Sequence, residues 1–198
     1  MKSKTVTYFD LLMVAMSLTM ALALPAGAQQ VKMAYSGTST GASAVNLQQP
    51  GTVTVEENFE GNGALGPFTS RIISAETTSP QQPPSTCSGP ANIYFIRVAG
   101  AGVLRFQDGS LLIVNMTQGA DCIDLEKLPG IGHCTLTLQI TGGTGRFKDA
   151  SGTVTLTETV LPVLADATNN PVFFAVTGKL TGMVSGAVAD QESQDGQP

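Results

Sequence analysis

Between Cys134 and Val160 the chain alternates with a period of two. In "CTLTLQIT", Cys134, Leu136, Leu138 and Ile140 alternate with Thr135, Thr137, Gln139 and Thr141. In "GTVTLTETV", Val154, Leu156, Glu158 and Val160 alternate with four threonines. Successive side chains of a strand point to opposite faces, so this pattern describes strands with one buried and one wet face. A helix needs apolar residues every three to four positions, and runs of threonine and valine are poor helix formers.

The same period recurs along the chain. Val53, Val55, Glu57 and Phe59 share one face of 51–59, and 67–75, 92–99, 102–106, 110–117 and 172–186 read as further strands. "QDG" between 106 and 110 is a hairpin signal. Charged residues are only 13% of the chain and tryptophan is absent, while threonine, valine and glycine abound, a composition suited to strands and turns. Eight candidate strands and no helical window outside the N-terminus predict an all-β fold, an eight-stranded antiparallel β-barrel. A β-sandwich is the alternative, because alternation does not distinguish a closed sheet from two facing ones.

The N-terminus reads as a processing signal. Lys2 and Lys4 precede an apolar run, Leu11 to Leu24, and Ala26 and Ala28 fit a small-x-small cleavage site. The run is shorter than the roughly 20 residues that a membrane span requires. The expected organisation is a signal peptide at 1–28, a flexible leader at 29–50, the barrel domain at 51–188 and a disordered tail at 189–198. "SPQQPPSTCSGP" (79–90) is a proline-rich surface loop. The processed chain is expected to be secreted or periplasmic and not an integral membrane protein. The full sequence has a net charge of −5 and no basic stripe, which argues against nucleic acid as a partner.

An oxidising compartment favours one disulfide among Cys87, Cys122 and Cys134. Cys122 and Cys134 flank a short connection whose ends a hairpin would bring together, and they are the expected pair, with Cys87 left in the loop. His133 is the sole histidine. A zinc site of His133, Asp121 and Asp124 lacks the usual ligand spacing, so no metal is expected.

Gly142, Gly143 and Gly145 follow a strand, as the glycines of a dinucleotide-binding turn do. Lys148 stands where that fingerprint requires its third glycine, and "ASGTVTLTETV" continues as a strand, not a helix. The glycines therefore make a turn, Phe147 and Ala150 pack the barrel end, Arg146 and Lys148 are solvated, and no cofactor is expected. The segment "GGTGRFKDASGTVTL" resembles the corresponding segment of the allene oxide cyclase and dirigent-type barrels, and of exported bacterial proteins that carry it before a last strand. The specific part covers 141–154. The resemblance implies an eight-stranded antiparallel barrel with an apolar central cavity. It falls on a structural turn, so no active-site residue is carried over.

Glu158 lies on the apolar face of its strand. An inward carboxylate needs a partner or holds its proton. Arg97, on the face of Ile93 and Phe95, and Arg105, beside Val103, are the candidate partners, and Glu57 poses the same question on the first strand. Glu158, Arg97 and Glu57 are thus the candidate ligand-binding residues. Three functions are compatible with this pattern: an exported barrel that binds an apolar small molecule, a cofactor-free isomerase or cyclase, and a structural protein with a filled barrel. An open, apolar-lined cavity favours the first two, and a paired acid and base inside favours the enzyme. The oligomeric state is left open.

Overall fold

A computed structural model describes residues 28–45, 49–85, 87, 89–127, 130–167 and 171–187, with the backbone alone for 41–45. The strands are β1 (Gln29–Val45), β2 (Thr52–Gly63), β3 (Phe68–Thr77), β4 (Ile93–Phe106), β5 (Leu111–Asp124), β6 (Ile131–Gly143), β7 (Ser151–Ala165) and β8 (Pro171–Ser185). Each pairs antiparallel with its sequence neighbours, and β1 closes on β8, giving an eight-stranded barrel. The sandwich alternative is excluded. Closure leaves no sheet edge unpaired.

The strand count of eight was reached by two compensating differences. The expected leader is β1 over most of its length. Val31, Met33, Tyr35 and Ser39 are buried, while Lys32, Ala34, Ser36 and Thr38 are exposed. That alternation is diluted by small residues, and it is stabilised by pairing with β2 and β8, which are distant in sequence. The domain therefore begins before residue 51. Conversely, 92–99 and 102–106 fall in one strand, β4, which continues through "AGAG" (99–102). All but residue 28 of the expected signal peptide (1–28), and the expected tail 189–198, lie outside the described residues.

One end of the barrel is plugged. A short 3₁₀ turn, Gly145–Phe147, follows β6 and inserts Phe147, fully buried, against Phe106 with ring centroids 4.6 Å apart. Ala150 is also buried there, as the sequence predicts. Gly145 has φ +57°, a conformation that glycine adopts without steric cost. Arg146 is not simply solvated. Its guanidinium lies 4.9 Å over the Phe106 ring, donates through Nη2 to the Leu65 carbonyl at 2.6 Å and pairs with Asp108 at 3.1 Å. Above the plug, Ile72, Leu104, Leu112, Leu136, Leu138, Leu156 and Leu180 fill the interior. This half of the barrel is solid, so the central cavity that the resemblance implies does not run its length.

The disulfide joins Cys87 to Cys122, with Cα atoms 5.8 Å apart, and Cys134 is free and buried. This corrects the expected Cys122–Cys134 pair. In the β5–β6 register Cys122 stands opposite His133, and Cys134 opposite Asp121. Residues directly opposite share a face, so Cys134 points inward and Cys122 outward, and no hairpin could join them. The 78–92 loop lies against the outer wall instead. Asn92 N donates to the Ile123 carbonyl at 2.8 Å, and Gln81 and Tyr94 exchange backbone hydrogen bonds. At Gly89 the loop passes so near that a β-carbon would lie 2.6 Å from the His133 ring.

Candidate functional site

Above the solid half, the inward face turns polar. Asp121, Cys134, Glu158, Gly178 and Tyr35 are successive partners in one row crossing β5, β6, β7, β8 and β1. Glu57 enters from β2, Ser74 and Glu76 from β3, and Arg97 from β4. Every strand thus contributes to one level of the barrel, seven of them a polar or thiol side chain and β8 a glycine.

Two adjacent irregularities make this possible. The β3–β4 register shifts between Ala75 and Glu76, and the β5–β6 register shifts between Met116 and Gln118. Leu104 and Val114 are inward at even positions below these shifts, and Arg97 and Asp121 are inward at odd positions above them. A bulge reverses which parity faces the core. Between them Gly119, opposite Arg97, leaves the space the arginine stem uses; a β-carbon there would lie 2.8 Å from Arg97 Cβ.

Arg97 is the hub. Its Nε donates to Asp121 Oδ2 at 2.7 Å and Nη2 to Asp121 Oδ1 at 3.2 Å, a bidentate pair. Nη1 donates to Glu57 Oε1 at 2.7 Å and to Ser74 Oγ at 3.1 Å, and Glu76 Oε2 lies 3.6 Å from Nε. On the other side of the interior, Tyr35 OH donates to Glu158 Oε2 at 2.9 Å. Gly178 stands between those two strands, and a β-carbon on it would lie 2.5 Å from the Tyr35 hydroxyl.

The cluster holds four carboxyl groups and one guanidinium, and its protonation follows from that imbalance. Burial works against the Arg97 charge, but the acidic groups around it, Asp121 first, raise its pKa well above the ordinary value. Burial also works against ionised Asp121, yet Arg97 and the hydrogen bond from Glu76 bring it down to about 2. Burial, then the hydrogen bond to and the charge of Asp121, push Glu76 up to about 9. Burial and the nearby Glu57 charge raise Glu158 well above the usual carboxylate range, against the pull of Arg97 and Tyr35. Burial likewise pushes the Cys134 thiol and the Tyr35 phenol upward. Glu158 therefore keeps its proton well above the pH at which an exposed glutamate loses it.

Of the sequence candidates, Glu57 and Arg97 are in direct contact. Glu158 is buried in the same cluster, within 4.8 Å of Glu57 between ligand-capable atoms. Arg105 is exposed on the outer wall and is not the partner of Glu158. The zinc set also comes apart, since Asp121 is inside and His133 outside, beneath the loop. Tyr35, Glu76, Asp121 and Cys134 were not among the sequence candidates for binding. Tyr35 sat in the supposed leader, and Asp121 lies beyond a bulge that no alternation pattern announces.

The polar level faces the end of the barrel opposite the Phe147 plug. Past it the inward faces continue with Phe95, Ile93, Ile123, Val160 and Phe174, all half-buried. Leu161, Val163 and Leu164 carry β7 onward as an exposed apolar lip. Two shallow recesses, of about 1220 and 790 Å³, lie mainly on the outer wall, the larger beside Ile73, Val103 and Ile113. Among the described residues no helix is long and apolar enough to cross a membrane.

No protein-family model and no curated protein matches the chain. Among solved structures it is similar to the pterocarpan synthase dirigent protein PsPTS1, with a TM-score of 0.43, 13% identity and coverage of 81% of this chain and 96% of that one. It is also similar to the pterocarpan synthase dirigent protein GePTS1, with a TM-score of 0.38, 12% identity and coverage of 92% and 96%.

Proposed function

We propose that this is an exported barrel that binds a small molecule with an apolar body at the end opposite the Phe147 plug. The observation that carries this reading is the contrast between the two ends. One is plugged by Phe147 and filled with leucines, and the other has half-buried apolar walls around a buried polar level. Apolar walls with a few convergent polar groups are the usual construction of a small-molecule site. Glu158, Arg97 and Glu57 would orient the ligand, and Phe95, Val160 and Phe174 would cover its apolar part. The Cys87–Cys122 disulfide agrees with an oxidising compartment, and the N-terminal signal reading with export.

A cofactor-free isomerase or cyclase is the second reading, favoured by one observation. Glu158 is a buried carboxyl whose proton is retained by its surroundings and which sits beneath the half-buried apolar residues Phe95, Val160 and Phe174. Such a group can donate a proton to a bound substrate as a general acid.

A native mass spectrum of the protein from its own exporting host tests the binding reading. A defined small-molecule adduct that Glu158→Gln releases, with the fold intact, is the expected result. A bare chain, or an adduct indifferent to Glu158→Gln, would turn the assignment towards a filled barrel that acts through its outer surface. Turnover of the identified ligand by the wild type and not by Glu158→Gln would move the protein to the second reading.

A further inference from the structure

Two buried oxygens in the cluster have no hydrogen-bond partner among the described residues, Glu57 Oε2 and Glu158 Oε1. Their residues are 1% and 5% exposed, so bulk solvent does not reach them. A buried carboxyl oxygen left unpaired has lost its hydration with nothing in exchange. The remaining oxygens are well held: Arg97 occupies Oε1 of Glu57, and Tyr35 occupies Oε2 of Glu158. Each carboxyl group is thus oriented through one oxygen and left vacant at the other. An oxygen of Glu57, an oxygen of Glu158 and the sulfur of Cys134 all lie within 4.8 Å of one another.

We propose that Glu57, Cys134 and Glu158 form a binding site for one divalent transition-metal ion of the zinc class. The donor set selects the class. Calcium and magnesium take oxygen ligands, whereas a thiolate with two carboxylates suits a borderline-soft ion. The spacing fits after a small closure. Three donors at most 4.8 Å apart lie within about 2.8 Å of a common centre, against about 2.0–2.3 Å for zinc ligands. Side-chain movements of roughly 0.5–0.8 Å bridge that difference. Charge fits as well. Four carboxyl groups face one guanidinium, so a dication offsets the excess when Glu57 and Glu158 are ionised. Arg97, fixed by its bidentate pair with Asp121, holds Glu57 through Oε1 and acts with Tyr35 as an outer shell that aims the carboxyl groups. Three protein ligands leave a fourth tetrahedral position open to water or another ligand.

The Cys87–Cys122 bridge decides how this is read out. With it intact, Cys134 is the sole thiol of the three cysteines in the chain, so any thiolate–metal signal comes from it. On binding, the Cys134 S–H proton leaves to solvent and the sulfur lone pair makes the metal bond. The untagged exported chain, kept free of reductant, is titrated with Co²⁺ and then with Zn²⁺. The expected result is one ion per chain, a sulfur-to-cobalt charge-transfer band, and displacement of cobalt by zinc. Cys134→Ser abolishes the band and weakens zinc at least about 10-fold, as does Glu158→Gln; Glu60→Gln, an exposed carboxylate, changes neither. Absence of saturable binding overturns the proposal, and so does zinc affinity unchanged in Cys134→Ser. Should Glu158→Gln fail to fold by circular dichroism, the near-isosteric Cys134→Ser decides alone.

Discussion

The hydroxyl of Tyr35 reaches Glu158 across the missing side chain of Gly178, a 2.9 Å hydrogen bond spanning 123 positions of sequence. It ties the first strand to the seventh over the eighth, at the seam where the barrel closes. Removing the hydroxyl in Tyr35→Phe leaves Glu158 Oε2 without its donor, which costs about 1–3 kcal/mol. Gly178→Ala places a β-carbon 2.5 Å from that hydroxyl and 2.6 Å from the Thr157 carbonyl, so it should destabilise by about 1–3 kcal/mol through overpacking. Urea unfolding of both variants checks these figures. A Tyr35→Phe variant as stable as the parent would show that the closure seam does not depend on this bond.

The carboxyl cluster gives stability an acidic optimum. Asp121 ionises near 3.8 when exposed and near 2 in the fold, so its contribution is present above 3.8 and lost as pH falls towards 2. Glu76 behaves oppositely. Its ordinary value of 4.5 is raised to about 9, so between those values only the folded state holds the proton. Its contribution is full below 4.5 and disappears as pH rises through 9. Melting temperature, followed with a chelator present, should peak near pH 4–5 and decline by several degrees towards pH 9. Glu76→Gln, which cannot ionise, should flatten the decline. An unaltered alkaline slope in that variant would place the titration elsewhere.

Arg97 cannot be replaced conservatively. It serves Asp121 through two nitrogens and Glu57 through a third, a planar fork that lysine does not reproduce. Arg97→Met leaves two or three buried acids without a cation and should cost about 3–5 kcal/mol. Arg97→Lys should recover only part of that loss. Chemical denaturation at neutral pH measures both, and full recovery by lysine would mean that charge alone matters. The loss should shrink at pH 4, where the carboxyl groups hold protons more readily.

Much of this architecture is legible in sequence because it rests on local alternation. β6 and β7 announce themselves through threonine, and the inward placement of Glu158, Arg97 and Glu57 follows from their apolar neighbours. The rest depends on register. β1 is rich in small residues from Ser36 onward, and its pairing with β8 is between opposite ends of the domain. The bulge in β5 reverses parity between Val114 and Asp121, so the second carboxylate of the Arg97 pair carries no periodic signature. Cys122 and Cys134 show the same limit. Their separation suits a hairpin, but one residue of register sends them to opposite faces.

The two cysteine roles can therefore be separated by experiment. Non-reducing peptide mapping should link Cys87 to Cys122, and a thiol reagent should titrate one group per chain after denaturation and none before, since Cys134 is 0% exposed. The bridge spans 35 positions, for which chain entropy gives about 4 kcal/mol of stabilisation. Cys87→Ser should lose most of that and free the 78–92 loop from the outer wall, exposing the His133 ring. Cys134→Ser should leave the bridge intact and act only on the interior. A Cys87→Ser protein with unchanged stability would mean that the backbone hydrogen bonds of Gln81 and Asn92 hold the loop by themselves.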